Sequence, residues 1–278
     1  MAKAVFFGNY AGGPFFNMAF DEWLLGRALS EPAFVSLRLY TWQPGAITFG
    51  FNQNKELALD FSKVSDTPVI RRITGGRAIY HDPGEITYSI AVNTGNLDNA
   101  KLNGSLRGTS SAIAEALTGF LAGLGIQSHY LRSSSSTDSK PIFLHRSACF
   151  DSVARYEIVA RSQKIVASAQ RRVGKALLQH GSMKVNGIAP HPALPLKSFP
   201  ALSPSCGPVI RKEEFDTMAT EFVKVMGKFL GLVCGQGCLD LSDLEQIKKR
   251  TIYVEKNSLE RRDSFEHSTD EGSLYYGR

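Results

Sequence analysis

Apolar residues fall at intervals of three and four along PFFNMAFDEWLLGRAL, residues 14–29, where Phe16, Ala19, Phe20, Trp23 and Leu24 make one stripe. That period predicts an amphipathic helix. Asp21 and Glu22 lie off the stripe and are expected to face away from it. A second stripe, Ile113, Leu117, Phe120, Leu121 and Leu124, predicts a helix over 105–125, with Gly125 placed to take the left-handed conformation at its end. A third, Phe215, Met218, Ala219, Phe222, Met226 and Phe229, predicts a helix over 213–230. In SDLEQIKKR, residues 242–250, Ser242 and Glu245 have the spacing of a capping box and mark one more helix start.

The period changes to two in FVSLRLY (34–40), which puts Val35, Leu37 and Leu39 on one face of a strand. AITFGF (46–51), PVIRR (68–72), RAIYH (77–81) and ITYSIAV (86–92) read as further strands, and so do YEIVA (156–160), KIVASA (164–169) and ALLQHGSMKV (176–185). The serine run at 133–137 and the proline-rich stretch 189–208 read as loops, and the polar end from about Asn257 as disordered. The elements alternate irregularly, with hairpin-like pairs and no repeat. The expected class is α+β, with mixed or antiparallel sheets packed against helices, as a single catalytic domain over 1–256 and a tail over 257–278.

A chain of 278 residues that is 43% hydrophobic can bury one large core. It has no apolar run of about 18 residues, so no membrane span is expected. The opening MAKAVFFGNYAGG has no apolar stretch of signal length, which points to the cytoplasm. The formal charge of +6 favours acidic partners. Nucleic acid is not expected among them, because the basic pairs are scattered and none sits in a recognised module. Cys149, Cys206, Cys234 and Cys238 lack the spacing of a zinc site, so no metal is expected and free thiols are the default.

Three features carry chemistry. The first is RRITGGRAIYHDPGEITYS, residues 71–89. Gly75 and Gly76 permit positive φ and let a ligand approach the backbone, and consecutive amides there can form an anion-binding nest. Arg71, Arg72 and Arg77 could add donors, with Thr74 between them and His81 at a second turn. A tight hairpin with a solvated basic face explains the same residues. No phosphate-binding glycine motif occurs elsewhere. The second feature is Cys149, in a polar setting with His145 and Arg146 nearby, either of which could stabilise a thiolate. The third is Lys164, which enters a strand of small residues where partial desolvation would suit acid–base work. His180 and Gly181 form a further turn in QHGS, where a satisfied core histidine is the simpler reading.

Taken in order, NMAFDEWLL, RLYTWQPGAITFGFNQ, RRITGGRAIYHDPGEITYS, ACFDS, KIVASAQRR and LLQHGSM resemble the lipoate/biotin protein ligase and octanoyltransferase superfamily over roughly residues 14–190. The resemblance implies an α+β catalytic domain related to class II synthetases. It implies an acyl pocket at Arg71, Arg72, Thr74, Gly75, Gly76 and Arg77, completed by His81, His180 and Gly181. It also implies that Lys164 contacts the acyl carbonyl. KIVASA replaces the glycine that the family usually carries in this motif. The cysteine in ACF, followed by SAQRRVGKALLQHGS, resembles the Gram-positive type of octanoyltransferase, with Cys149 as nucleophile. The implied reaction moves an octanoyl group from acyl carrier protein to a lysine of a lipoyl domain or of a glycine-cleavage H-type protein, and it needs no cofactor. ATP-dependent lipoate ligation and lipoyl or octanoyl transfer between lipoyl domains are the alternatives.

Overall fold

The structure is a computed structural model and describes residues 1–95, 97–102, 105–131, 156–186, 191–194 and 209–259. In chain order the elements are β1 (Ala2–Gly12), α1 (Pro14–Ser30), β2 (Val35–Trp42), β3 (Ala46–Phe49), α2 (Lys55–Ala58), β4 (Val69–Arg71), β5 (Ile79–His81) and β6 (Ile86–Asn93). They continue with α3 (Leu106–Gly123), β7 (His129–Tyr130), β8 (Ile158–Ala160), β9 (Gln163–Val173), β10 (Ala176–Met183), α4 (Lys212–Leu230), β11 (Leu232–Gln236) and α5 (Leu241–Leu259). One eight-stranded sheet has the order β11-β1-β2-β6-β10-β9-β8-β7, and a three-stranded sheet has the order β4-β3-β5. Both sheets mix parallel and antiparallel neighbours, as the α+β reading expects.

Strand alternation sorts the large sheet into two cores. Val35, Leu37 and Leu39 of β2 and Tyr88, Ile90 and Val92 of β6 face α3 and α4, where Leu117, Phe120 and Phe222 pack on them. The opposite face, with Tyr40, Trp42, Ala91 and Leu178, is covered by α1 and then α5 through Phe20, Trp23, Leu24, Ile247 and Val254. Period-two patterning makes this division, because successive side chains leave a strand on opposite sides.

β1 and β11 were not expected from the pattern. Phe6 of β1 enters one core and its neighbour Phe7 the other. A strand buried on both faces reads as a continuous apolar run instead of an alternation. β11 is short and contains Gly235, so its own pattern is weak. The expected capping box at Ser242 and Glu245 is corrected to one two residues earlier. The Asp240 side chain accepts the Asp243 N–H at 2.8 Å, and the Asp243 side chain accepts the Asp240 N–H at 3.2 Å. The helix α5 takes in residues 257–259, at the start of the stretch expected to be disordered. Buried Ser258 holds that end: it accepts the Arg71 N–H, and its carbonyl accepts Lys55 Nζ. The loops at 133–137 and 195–208 and the tail from 260 lie outside the described residues.

Asp21 and Glu22 are the main departure. Both are buried, because α1 has the sheet on one side and α5 on the other. Glu22 pairs with Arg250 of α5. Asp21 pairs with Arg38 at 2.7 Å, and the Arg38 guanidinium lies over the rings of Phe20 (4.3 Å) and Tyr40 (3.9 Å). Arg38 also donates to the Asn17 carbonyl and to Asn17 Oδ1. Among the described residues no helix is long and apolar enough to cross a membrane.

Removing one partner of such a buried pair strands the other charge, at a cost of about 3–5 kcal/mol. Asp21→Ala is therefore expected to lose stability on that scale in a urea titration. Glu31→Ala, at a surface pair with Arg27, should move the midpoint little.

Candidate active site

The glycine run is not a hairpin turn. β4 and β5 lie on opposite sides of β3, so residues 72–78 cross from one edge of the small sheet to the other. The crossing is tight. The Phe51 N–H donates to the Thr74 carbonyl at 2.9 Å, and a Cβ on Gly50 would stand 2.0 Å from the Gly76 oxygen. Gly76 sits at φ 94°, where a side chain is strained. Gly75 and Gly76 are exposed while Thr74 is fully buried.

The arginines brace this loop. Arg72 is buried and donates to the carbonyls of Gly75 (2.7 Å from Nη2) and Arg77 (2.9 Å), and to Thr48 Oγ1 (3.2 Å). Arg71 donates to the carbonyls of Phe51 and Gln53 and lies 4.5 Å over the Phe49 ring. The solvated basic face is thus corrected, since buried carbonyls attract guanidinium groups more strongly than water-filled space does. Arg72 also lines the cleft described next, whereas Arg71 and the half-buried Arg77 do not.

A cleft opens between this loop and β9–β10. Met18, Ile79, Ala167 and Ala169 supply apolar walls, with Gly76, His81, His180 and Gly181 among the other lining residues. Gly181 is required by packing. A Cβ there would lie 2.7 Å from the Tyr88 ring and 2.8 Å from the Ala167 carbonyl.

Both histidines are buried and backed by carboxylates. His180 Nδ1 lies 2.9 Å from Asp21 Oδ2, and its Nε2 lies 2.6 Å from Thr74 Oγ1. His81 Nδ1 lies 2.5 Å from Glu85 Oε1, its Nε2 lies 2.8 Å from Thr48 Oγ1, and its ring stacks on Trp42 at 4.0 Å. Burial holds His81 below the ordinary imidazole range, so it is neutral at pH 7. With Nδ1–H donated to Glu85, Nε2 accepts the Thr48 hydroxyl. Burial acts to raise the Asp21 pKa, but Arg38 and the hydrogen bonds from His180 and Ser89 prevail and hold it below the usual value. Burial also acts to raise Glu85, and His81 and Lys184 overcome it, setting that pKa at about 2. Lys184 is itself fully buried, donating to Asp82 (2.7 Å), Glu85 (2.5 Å) and the Tyr80 carbonyl (2.8 Å).

Lys164 is buried, as its desolvated setting suggests, and pairs with Glu157 at 2.5 Å. It does not line the apolar cleft. Glu157 lines a second cleft with Ser110, Tyr156, Gln170 and Gln179, which meets the first at Ser168 and Ala169. Burial pushes the Tyr88 phenol up to about 12; its OH contacts Ser168 Oγ at 2.8 Å and accepts from Gln179 Nε2 at 2.9 Å. Cys149, His145 and Arg146 lie outside the described residues. Sequence reasoning missed Asp21, Thr48, Glu85 and Glu157. Of these only Glu85 had a local signal, four residues after His81 across the Asp82–Gly84 turn.

The Glu85 shift has a definite sign. Its folded pKa of about 2 is below the ordinary 4.5, so its stabilisation is present above pH 4.5 and is lost as the pH falls towards 2. Glu85→Gln is expected to be less stable at pH 7 and to lose less further stability across that acid window. Denaturant midpoints at pH 7, 4.5 and 3 check this; equal acid sensitivity in both proteins would contradict it.

A family model described as the lipoyl protein ligase A/B catalytic domain matches residues 13–191. Octanoyltransferase LipM of Carboxydothermus hydrogenoformans is 34% identical over 171 residues, covering 61% of this chain and 60% of that protein. Octanoyltransferase LipM of Kyrpidia tusciae is 33% identical over 192 residues, 68% of each. The match thus spans only about 60% of the first relative's length. A Thermoplasma acidophilum structure of a bipartite lipoate protein ligase and its E2 lipoyl domain aligns with a TM-score of 0.66 at 14% identity, over 95% of this chain and 98% of that one, which is a likeness of fold. With the matched stretch taking in the glycine loop, both histidines and Lys164, the chain belongs to the lipoyl protein ligase A/B catalytic domain family.

Proposed function

We propose that this protein is a cytoplasmic octanoyltransferase that moves an octanoyl group from acyl carrier protein to a lysine of a lipoyl domain or a glycine-cleavage H-type protein. The observation that carries the reading is the cleft. Its apolar walls at Met18, Ile79, Ala167 and Ala169 suit an aliphatic chain, and its buried polar groups are already engaged with one another. The relatives named octanoyltransferase support the choice of acyl group, and the archaeal ligase with its E2 lipoyl domain supports the kind of acceptor.

In this reading the Cys149 thiolate attacks the donor thioester carbonyl. The carbon–sulfur bond to the carrier breaks, and the carrier thiolate takes the proton that Cys149 gave up, relayed by Lys164. The acceptor lysine amine then attacks the Cys149 thioester; the new carbon–nitrogen bond forms, Cys149 leaves as thiolate, and the proton released by the amine returns to it. Each step exchanges a thioester for a thioester or an amide, so no nucleotide is consumed. Residues 131 and 156, which flank the segment carrying Cys149, are tied by a 2.7 Å backbone hydrogen bond beside Glu157 and the second cleft. Lys164, held by Glu157, is the proposed cation for the carbonyl oxygen and for proton transfer.

Mixing the protein with octanoyl-carrier protein should add one octanoyl group to the enzyme, seen by mass spectrometry, and Cys149→Ala should abolish it. Modification that requires ATP, magnesium and free acid would instead establish a ligase. Lys164→Ala and Lys164→Arg, with folding verified by circular dichroism, are expected to lose on the order of 10²–10³ in rate, the usual cost of one oxyanion-stabilising group. Full activity of Lys164→Ala would remove this lysine from the mechanism.

A further inference from the structure

Two chains of hydrogen bonds converge on the glycine loop from behind. One runs from Asp21 through His180 to the Thr74 hydroxyl. The other runs from Glu85 through His81 to the Thr48 hydroxyl, then through Arg72 to the Gly75 and Arg77 carbonyls. Each places a carboxylate on Nδ1 of an imidazole and a threonine hydroxyl on Nε2. The repetition is independent of sequence order, because the two carboxylates come from α1 and from the turn before β6.

We propose that Asp21 and His180 are positioning residues. They fix the Thr74 hydroxyl, and through it the exposed Gly75–Gly76 edge, so that the loop's amides receive the carbonyl oxygen of the acyl group. The proposal rests on the acyl-transfer reading of the cleft. Asp21 is anionic and only accepts hydrogen bonds, so His180 must donate Nδ1–H to it. With the imidazole neutral, Nε2 is left as acceptor and the Thr74 hydroxyl donates to it. This order gives Thr74 one rotamer and ties the residue beside Gly75 to the sheet. The second chain fixes the same loop by its carbonyls. A trans peptide directs C=O and N–H to opposite sides, so Arg72 on the Gly75 carbonyl turns the Gly76 N–H away from Arg72. Both ends of the two-glycine edge are therefore set by hydrogen bonds with the side chains of His180 and Arg72.

Asp21→Ala is a poor test because the fold depends on Asp21, so Thr74 is varied instead. Thr74→Val keeps the shape and loses the hydroxyl; Thr74→Ser keeps the hydroxyl. In octanoyl transfer, Thr74→Val is expected to lower kcat about 10²-fold, the usual effect of a small misplacement, with KM for octanoyl-carrier protein little changed. Thr74→Ser should recover most of the lost rate. Two readouts do not depend on turnover. Long-range nitrogen–proton NMR should place the His180 proton on Nδ1. Octanoate should shift the Gly75 and Gly76 amide resonances in the wild type and in Thr74→Ser, but not in Thr74→Val. A folded Thr74→Val enzyme with wild-type kcat, a His180 proton on Nε2, or octanoate that leaves both amides unmoved in the wild type would each overturn the proposal. A wild type that binds octanoate at these amides yet transfers nothing would instead refute the transferase reading alone.

Discussion

The Asp21 carboxylate is the constraint on which the site depends. Its Oδ1 accepts from Arg38 and Ser89, and its Oδ2 from Tyr40 and His180. These partners belong to β2, β6 and β10, three consecutive neighbours in the large sheet, while Asp21 itself is on α1. A charge buried without such partners would be far too costly. With all of them in place it sets the position of α1 along the sheet. Sliding the helix by one turn would break four hydrogen bonds and uncover a carboxylate in an apolar layer.

That constraint explains why an apparently ordinary amphipathic helix precedes the chemistry. Met18, one turn before Asp21, reaches the cleft wall, and His180, bonded to Asp21, forms part of its floor. The small sheet adds the other wall. Its strands are short, and the glycine loop between them holds its shape through Arg72 and through contact with Gly50. Side-chain clamps here replace the regular ladder that a hairpin would have provided.

Much of this was legible in the sequence, and the boundary follows the range of the interactions. The stripes of α1, α3 and α4 and the alternation in β2 are local patterns, and they fold as their periods imply. The glycine run, His81, His180 and Lys164 stood out because glycine and titratable residues are unusual within strand-like segments. The bracing role of Arg71 and Arg72 was not legible, since their acceptors are backbone carbonyls, which every residue carries. Asp21 was misread for a related reason. Its separation from His180 is 159 positions, and only the sheet order brings them together. Glu22 was misread because a polar residue off a helical stripe faces water unless a second layer covers it, and here α5, more than two hundred residues later, is that layer. β1 escaped notice because a strand buried on both faces has no alternation to find.

The balance of buried charge bears on what the cleft can hold. Asp21, Asp82 and Glu85 lie around it with Arg38, Lys184 and the cleft-lining Arg72, three carboxylates against three cations, all buried. Each cation is within hydrogen-bonding distance of a carboxylate or a carbonyl. A site built to grip a phosphate leaves guanidinium or ammonium donors facing the ligand, because the attraction must survive desolvation of both partners. Here Arg38, Arg72 and Lys184 donate to carboxylates and carbonyls of the protein itself. The balanced set adds rigidity to the walls and little net field to the space between them. An uncharged aliphatic chain loses nothing on entering such a space and gains the burial of its methylenes, at about 0.8 kcal/mol each. In the proposed reading, selectivity for the polar end of the ligand falls on the exposed glycine edge, beside which both imidazole chains end.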